Sequence, residues 1–224
     1  MNIALFDLDN TLLGGDSDHL WGQFLIEQGA VNREYYQREN DRYYWEYQHG
    51  TLDIREFLEF SLLPLTEHDL TTLHRWRQRY FTDKIIPIML PKAYELLDRH
   101  RRLGHTLVII TATNRFVTEP IAQHFGVDHL LATDPELIAN RYTGRIVDPP
   151  CFREGKVKKL ELWLRQNGLN LASSWFYSDS HNDIPLLERV THPCAVDPDD
   201  TLAQHASMKG WPVISLRNSD PSPR

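Results

Sequence analysis

The sequence predicts an α/β protein with a Rossmann-like parallel sheet and flanking helices, into which an all-helical segment is inserted. Residues 3–6 form an apolar run that ends at Asp7, as a buried parallel strand with acid at its carboxyl end would. From residue 17 to residue 82 the apolar side chains recur at helical spacing, and β-type runs are nearly absent. After Pro91 short apolar runs alternate with helical segments, the pattern of repeated βα units.

The insertion divides the predicted core into two pieces. Residues 1–14 and 86–216 are assigned to the core and residues 15–85 to a helical cap, because two consecutive glycines interrupt the pattern after the first strand. Residues 217–224 are rich in Ser, Pro and Asp and lack apolar anchors, so we expect a loose tail.

Two helix starts are predicted in the cap. Asp18 is the predicted N-cap of a helix through residues 20–25, and either Thr51 or Asp53 is the N-cap of a later helix. Residues 33–47 are dense in Tyr and Trp, which either pack between helices or line a pocket.

The second part of the core alternates between helices and strands. In order, the predicted elements are a helix over 92–103, a strand over 106–110, a helix over 116–125, apolar segments near Leu130 and Ile146, a helix over 154–166, a strand over 175–177, a helix over 184–188, and strands near Ala195 and Val213. Helices between successive short strands favour a parallel sheet covered on both faces.

Composition excludes several classes of protein. The 224 residues, 41% hydrophobic and 25% charged, are typical of a globular domain and exclude disordered, collagen-like and disulfide-dense chains. The longest stretch without charged or polar side chains, residues 85–91, is far shorter than the ~20 apolar residues of a membrane span, so no membrane partner is predicted. The 24 basic and 31 acidic residues give a net charge of −7 without a basic run, which argues against a nucleic-acid partner.

The first residues and the cysteines bear on the compartment. Residues 1–6 have no basic start and run into acid, so we expect no secretory signal and a cytoplasmic protein. Cys151 and Cys194 are too few for a disulfide framework and are expected to be buried thiols, although a single bridge stays open. The oligomeric state is left open.

Two pairs of acids follow predicted strands. Asp7 and Asp9 are two residues apart, so extended geometry directs them to the same side, where they need a cation. Asp179 and Asp183 follow the strand over 175–177. Because Mg²⁺ prefers an octahedral shell of oxygen ligands, these residues predict a Mg²⁺ site.

Between the acid pairs lie residues suited to binding phosphate. Thr111 follows the strand over 106–110 and precedes a helix start, where a hydroxyl and main-chain N–H groups bind phosphate oxygens. Lys156 lies near the start of another helix and supplies positive charge. Arg115 either meets a second anionic group or is a solvated helix residue.

Each feature alone has a structural explanation, but their order along the chain points to one phosphate site. The order is Asp7, Asp9 and Thr11, then Thr111, then Lys156, then Asp179 and Asp183.

Four motifs resemble those of the haloacid dehalogenase-like (HAD) hydrolase superfamily: FDLDNT, VIITAT, the region of Lys156, and YSDSHNDIPLL. The insertion is similar to the superfamily's first-position cap, as in the subfamily that includes phosphoserine phosphatases. The resemblance implies that Asp7 is a nucleophile forming an aspartyl-phosphate. It also implies that Asp9 acts as general acid and then as base, while its main-chain carbonyl binds the metal.

The resemblance implies further roles for the matched positions. Asp7 and Asp179 would ligate Mg²⁺ directly, and Asp183 would support either the metal waters or Lys156. Thr111 and Lys156 would both be catalytic residues that contact the phosphoryl group. Four further positions are counted with Arg115 as substrate-binding residues: Thr11, Asp16, Ala112 and Asn182.

Asp9 also indicates the reaction type, since dehalogenases of the superfamily lack this second acid and P-type ATPases carry Thr there. Hydrolysis of a small-molecule phosphate ester is expected. Phosphotransfer stays an alternative, as does a non-catalytic binding or regulatory protein of the same fold.

The substrate is predicted from departures from the phosphoserine phosphatase pattern. Asp16 stands where those enzymes carry a Glu that contacts the substrate amine, but residues 111–113 read TAT in place of their Ser-Gly-Gly. The Arg with which those enzymes bind the substrate carboxylate aligns near Ser61. This replacement argues against a substrate that carries a carboxylate. Histidinol phosphate, an amine without a carboxylate, is therefore the leading expectation. Phosphoserine and other small metabolites are the alternatives.

Overall fold

The computed structural model describes residues 2–217, and within this range it contains one seven-stranded sheet. The strands are β1 Ile3–Phe6, β2 Thr106–Asn114, β3 His129–Ile138, β4 Arg141–Val147, β5 Ser174–Ser178, β6 His192–Val196 and β7 Val213–Ile214. Their order across the sheet is β4-β3-β2-β1-β5-β6-β7. All neighbours are parallel except β3 and β4, so the predicted α/β class is confirmed.

The segment between β1 and β2 is helical. It contains α1 Ser17–Glu27, α2 Arg33–Gln48, α3 Ile54–Glu67 and α4 Leu70–Tyr80, followed by a π turn over Phe81–Ile85 and a 3-10 turn over Ile86–Ile88. The remaining helices flank the sheet and are α5 Pro91–Arg102, α6 Arg115–Phe125, α7 Glu154–Asn167, α8 Ile184–Leu187 and α9 Asp200–Lys209. We call the segment from α1 to the 3-10 turn the cap.

The cap is joined to the sheet by a narrow neck. Leu13 and Met89 form an antiparallel β-bridge. Beside it the Gly14 N–H donates to the Ile88 carbonyl at 2.7 Å, and the Leu90 N–H donates to the Leu12 carbonyl at 3.2 Å. The chain therefore enters and leaves the cap at adjacent points.

The first helix of the cap begins earlier than predicted. Its N-cap is Asp16, whose Oδ1 accepts a hydrogen bond from the His19 N–H at 2.8 Å, so the prediction of Asp18 was wrong. Asp16 has extended φ/ψ, whereas Asp18 already lies in the first turn. In α3 the N-cap is Asp53, one of the two residues predicted, which accepts from the Arg55 and Glu56 N–H groups.

The β3–β4 hairpin was predicted only as two apolar segments. Its turn is formed by Ala139 and Asn140, with φ of 47° and 60°. Positive φ at both positions is the geometry of a primed hairpin turn, which usually contains Gly. Because Ala stands at the first position, this turn has no glycine by which it could be predicted from the sequence. Strand β4 packs against the cap helix α3.

Alternate residues of β1 pack on opposite faces of the sheet. Ile3 and Leu5 join a cluster with α7, while Ala4 and Phe6 join the cluster that continues into α5, α6 and the cap. All four are fully buried. The two apolar faces explain why the strand reads as a continuous apolar run.

The aromatic stretch of α2 serves both predicted uses. Tyr36 and Tyr43 are buried against Phe60, with ring centroids 4.4 and 5.2 Å apart. Tyr44 and Tyr47 line a pocket.

Both cysteines are free and buried. Burial raises the pKa of Cys151 to about 12 and that of Cys194 to about 11.

The predicted loose tail begins with an anchored residue. Nη2 of Arg217 donates to the Asn10 carbonyl at 3.2 Å. Residues 218–224 lie outside the described residues. Across residues 2–217 no helix has the length and apolar character to cross a membrane.

Candidate active site

The predicted site residues converge at the carboxyl ends of three neighbouring strands. Strand β1 lies between β2 and β5, with Phe6 opposite Ile109 and Tyr177. The residues that follow these positions therefore meet at one edge of the sheet, as parallel strands require.

Lys156 is bound between two buried acids. Its Nζ lies 2.7 Å from Oδ1 of Asp7 and 2.8 Å from Oδ2 of Asp183, and Lys156 is only 2% exposed. Burial alone would lower the pKa of Lys156, but the charges of Asp183 and Asp7 raise it, so the ammonium keeps its proton. Oδ2 of Asp183 also accepts from the Ser178 hydroxyl at 2.7 Å, so it contacts both Lys156 and Ser178.

Gly155 allows the helix that carries Lys156 to begin close to the preceding loop. A Cβ at this position would lie 1.9 Å from the Pro150 carbonyl oxygen. No side chain fits there without moving the backbone, so glycine is required immediately before Lys156.

Asp7 and Asp179 share the hydroxyl of Thr11. Oγ1 of Thr11 lies 3.3 Å from Oδ2 of Asp7 and 3.0 Å from Oδ1 of Asp179, and it accepts from the Asp179 N–H at 3.1 Å. Burial raises the pKa of Asp7 to about 7 against the charge of Lys156, with Asp183 and Asp9 adding to the rise. Burial and then the charge of Asp7 raise the pKa of Asp179 well above its ordinary value.

This arrangement fits a divalent cation. Two buried carboxylates that face one hydroxyl repel each other unless a cation lies between them. Within residues 2–217, no three His, Cys, Asp or Glu side chains are grouped to hold a metal ion. The predicted donor set does not need three, because it combines Asp7, Asp179 and the main-chain carbonyl of Asp9. Mg²⁺ suits such a set, since it keeps several waters and uses few protein carboxylates.

Asp9 is held by hydrogen bonds to both carboxylate oxygens. Its Oδ1 accepts from the Ser17 N–H at 2.6 Å, and its Oδ2 accepts from the Thr113 hydroxyl at 2.8 Å and the Thr111 hydroxyl at 3.4 Å. Burial, with the charge of Asp16, raises the pKa of Asp9 to about 6. A carboxyl with this pKa can both give and take a proton near neutral pH.

Thr113 is a site residue that the sequence prediction missed. It was noted only as a replacement for glycine. The available signal was its spacing, because Thr111 and Thr113 are two residues apart on β2 and so face the same side.

Three predicted substrate-binding residues do not line the pocket. One is Thr11, whose hydroxyl lies between Asp7 and Asp179, and the other two are Arg115 and Asn182. The Arg115 guanidinium pairs with Asp134 and donates to the Leu130 carbonyl at 3.0 Å. The Asn182 amide accepts from Nε of Arg153 at 2.9 Å and donates to the Tyr47 carbonyl at 3.3 Å. In both cases the polar atoms are engaged elsewhere.

A pocket lies between the strand ends and the cap. Its lining residues are Asp7, Asp9, Asp16, Asp18, His19, Asn40, Tyr43, Tyr44, Tyr47, Leu52, Ile54, Phe57, Thr111, Ala112, Thr113 and Phe152. These residues include four acids and three tyrosines but neither Lys nor Arg. Burial raises the pKa of Asp16 to about 6 and that of Asp18 well above its ordinary value. Ser61, which aligns near the carboxylate-binding Arg of phosphoserine phosphatases, is buried in α3 and does not line the pocket.

Comparison with known proteins gives a family and several relatives. The family model described as haloacid dehalogenase-like hydrolase matches residues 4–188. A histidinol-phosphatase of Neisseria meningitidis is 40% identical over 220 residues, covering 96% of this chain and 99% of the relative. A phosphoserine phosphatase of Mycobacterium tuberculosis is 26% identical over 222 residues, covering 96% and 70%.

Solved structures share the fold. A Bordetella pertussis protein of unknown function has a TM-score of 0.91 at 45% identity, covering 96% of this chain and 99% of that one. A phospho-aspartyl intermediate analogue of a phosphoserine phosphatase has a TM-score of 0.70 at 16% identity, covering 97% and 94%.

Proposed function

The chain belongs to the haloacid dehalogenase-like hydrolases and is a phosphatase, and from this premise we propose that it hydrolyses histidinol phosphate with Mg²⁺ through an aspartyl-phosphate on Asp7. The main support for this substrate is the set of residues that line the pocket. Beyond the nucleophile it contains three further acids and three tyrosines but neither Lys nor Arg.

Histidinol phosphate matches this lining. Its primary ammonium and its imidazole are basic, and it carries no carboxylate. Asp16 supplies an opposite charge for the ammonium, and Tyr44 and Tyr47 supply ring faces for the imidazole. The 40% identical relative named histidinol-phosphatase supports the same substrate.

Phosphoserine fits the pocket less well. Its carboxylate needs a cationic partner, and a carboxylate beside Asp16 and Asp18 would be repelled. An unpaired charge transferred from water into such a site costs several kcal/mol.

In the proposed first step, the carboxylate of Asp7 attacks phosphorus and the bond to the leaving oxygen breaks. Lys156, 2.7 Å from Oδ1, favours the ionised form of Asp7 and offsets the charge of the phosphoryl group. Asp9 gives its proton to the leaving alkoxide, which departs as histidinol. Thr111 lines the pocket where the phosphoryl oxygens would lie.

In the second step, water attacks the phosphorus of the aspartyl-phosphate. Asp9, now ionised, takes the proton of that water, and Asp7 is released as a carboxylate together with inorganic phosphate. When bound, Mg²⁺ would be held by Asp7, Asp179 and the Asp9 carbonyl and would neutralise charge on the phosphoryl group.

The test is phosphate release by the purified protein from histidinol phosphate, phosphoserine, glucose 6-phosphate and AMP, with Mg²⁺ or with EDTA. We expect kcat/KM for histidinol phosphate to exceed that for phosphoserine at least ~100-fold, because the site opposes a carboxylate. Asp7→Asn should lose turnover, and Asp200→Asn, at an exposed position of α9, should not. Equal rates for Asp7→Asn and the parent would refute the nucleophile, and a preference for phosphoserine would refute the substrate.

A further inference from the structure

The end of the cap helix α2 is bound to the core by two side chains. Nη2 of Arg153 donates to the Gly50 carbonyl at 2.7 Å, and Nδ2 of Asn182 donates to the Tyr47 carbonyl at 3.3 Å. Nε of Arg153 also donates to Oδ1 of Asn182 at 2.9 Å, so the two side chains form one unit. We call Arg153, Asn182 and the two carbonyls the cap latch.

The helix end is a suitable acceptor for this unit. Helix α2 ends at Gln48, so the Tyr47 carbonyl lies in its last turn, at the negative end of the helix dipole, and the Gly50 carbonyl lies two residues beyond it. Arg153 offers a permanent charge and a planar set of donors. Asn182 is buried, and Arg153 is half-buried.

The latch residues are adjacent in sequence to the catalytic pair. Arg153 precedes Lys156 by three residues, and Asn182 directly precedes Asp183, which is bound to Lys156. Arg153 has a φ of 48°, a conformation that is unfavourable for a non-glycine residue and persists where surrounding contacts hold it. Its two hydrogen bonds are such contacts.

Gly50 is the matching feature on the cap side. Its φ is 69°, and a Cβ here would lie 2.7 Å from Nε2 of His181 and 3.3 Å from Nη2 of Arg153. His181 cannot easily move away, because its N–H and Nδ1 lie 2.7 and 2.8 Å from Oδ2 of Asp199. Only glycine allows the cap to approach the core this closely.

We propose that Arg153 and Asn182 are positioning residues that hold the cap closed, and that substrate entry and product release require the latch to break. Helix α2 carries Tyr44 and Tyr47 into the pocket, so its docked end fixes the pocket wall. The proposal concerns closure of the phosphatase site and holds for any phosphate ester that the pocket takes. It does not depend on histidinol phosphate.

The first test is hydrogen exchange of the full-length protein over residues 44–52. Arg153→Ala and Gly50→Ala should each speed exchange there at least ~10-fold, because the opened state gains population, and leave the sheet strands unchanged. Two variants serve as controls. Arg55→Ala removes an exposed cap-to-core ion pair with Asp148, and Gly29→Ala adds the same backbone strain, at a φ of 66°, with no atom within 4 Å.

The second test is kinetic, on the best substrate of the panel. Latch variants should raise KM ~10-fold with kcat changed less than ~3-fold, since closure contributes binding in the ground and transition states alike. Arg153→Lys keeps one donor and should recover part of the loss. The double variant Arg153→Ala with Gly50→Ala should be no worse than either single variant, because both break the same contact.

Unchanged exchange over residues 44–52 in both latch variants would overturn the proposal, whatever the substrate. Circular dichroism shows whether Arg153→Ala folds. If it does not, the exchange rates of Gly50→Ala and Gly29→Ala are compared, and this comparison alone decides whether the latch holds the cap. If the latch variants exchange faster over residues 44–52 but the parent protein does not hydrolyse histidinol phosphate, the latch is supported and only the proposed substrate is refuted.

Discussion

The hydroxyl of Thr113 donates a 2.8 Å hydrogen bond to Oδ2 of Asp9, the residue proposed to move the proton in both chemical steps. The other oxygen of Asp9 is held by the Ser17 N–H at the start of the cap. Core and cap therefore orient one carboxyl group together.

Thr113→Val should lower kcat about 10-fold, because a hydrogen bond to a charged group is worth about 1.5 kcal/mol and Asp9 would keep only the longer contact to Thr111. The measurement is phosphate release at saturating substrate. Thr113→Ser retains the hydroxyl and is the control. A valine variant with the parent kcat would mean that Thr113 does not orient Asp9.

Lys156→Met should lower the free energy of unfolding in EDTA by about 3–5 kcal/mol, since Asp7 and Asp183 would remain buried without their cation. Urea unfolding measures it. Lys158→Met, at an exposed position on the same helix, is the control. A loss for Lys156→Met below about 1 kcal/mol, the usual worth of a surface pair, would contradict the burial argument.

Removal of Mg²⁺ with EDTA should abolish activity and lower the melting temperature. At a concentration 100 times its dissociation constant, Mg²⁺ should add about 2.7 kcal/mol of stability. Asp179→Asn should lose this gain, yet in EDTA it should be more stable than the parent, because one of two facing charges is gone. Equal stabilisation of both proteins by Mg²⁺ would place the metal elsewhere.

Asp16→Asn should separate recognition of the substrate from folding. Asn caps a helix as well as Asp does, so thermal stability should stay close to that of the parent. With the charge gone, kcat/KM for histidinol phosphate should fall ~10–100-fold, the usual worth of a close ion pair in a pocket, while p-nitrophenyl phosphate is little affected. Asp53→Asn, at the N-cap of α3, is the control. Equal losses on both substrates would remove Asp16 from ammonium recognition.

His100 should make the fold sensitive to acid. It is 2% exposed, and its ring nitrogens lie 2.9 Å from the Tyr177 hydroxyl and 2.8 Å from Nδ1 of His105. Burial, with the charges of His105 and Arg99, lowers the pKa of His100 from 6.5 to about 4. The folded state therefore disfavours the proton, so stability present above pH 6.5 is lost as the pH falls towards 4, by roughly 3 kcal/mol.

The check is urea unfolding of the parent and of His100→Gln between pH 7 and pH 4. The glutamine variant should lose less stability over this window, because it does not titrate and still bonds to Tyr177. His192→Gln replaces an exposed histidine stacked on Trp175 and should follow the parent. Parallel curves for His100→Gln and the parent would show that His100 is not the titrating group.

The sequence predicted the strand ends of the site well, because a buried parallel strand leaves a continuous apolar run and the acids follow it directly. The β1 and β5 predictions placed Asp7 and Asp179 at one edge of the sheet for this reason. The extra length of β2, which reaches Asn114, was not predicted, since three of the four residues from 111 to 114 are polar.

Other contacts could not be predicted from the sequence, because the two partners are distant along the chain. The Asp134 carboxylate that pairs with Arg115 lies on β3, and the Tyr47 carbonyl that occupies Asn182 lies in the cap. Residue type and spacing describe what a side chain can bind, but only the packed chain determines which partner reaches it.

The bridge between Leu13 and Met89 makes the two crossings of the neck close neighbours. A chain that leaves and returns at nearly the same point imposes no separation on the strands it connects. The cap can therefore change its lining, and with it the range of substrates, without altering the spacing of Asp7, Thr111 and Asp179, as long as the Ser17 N–H still holds Asp9.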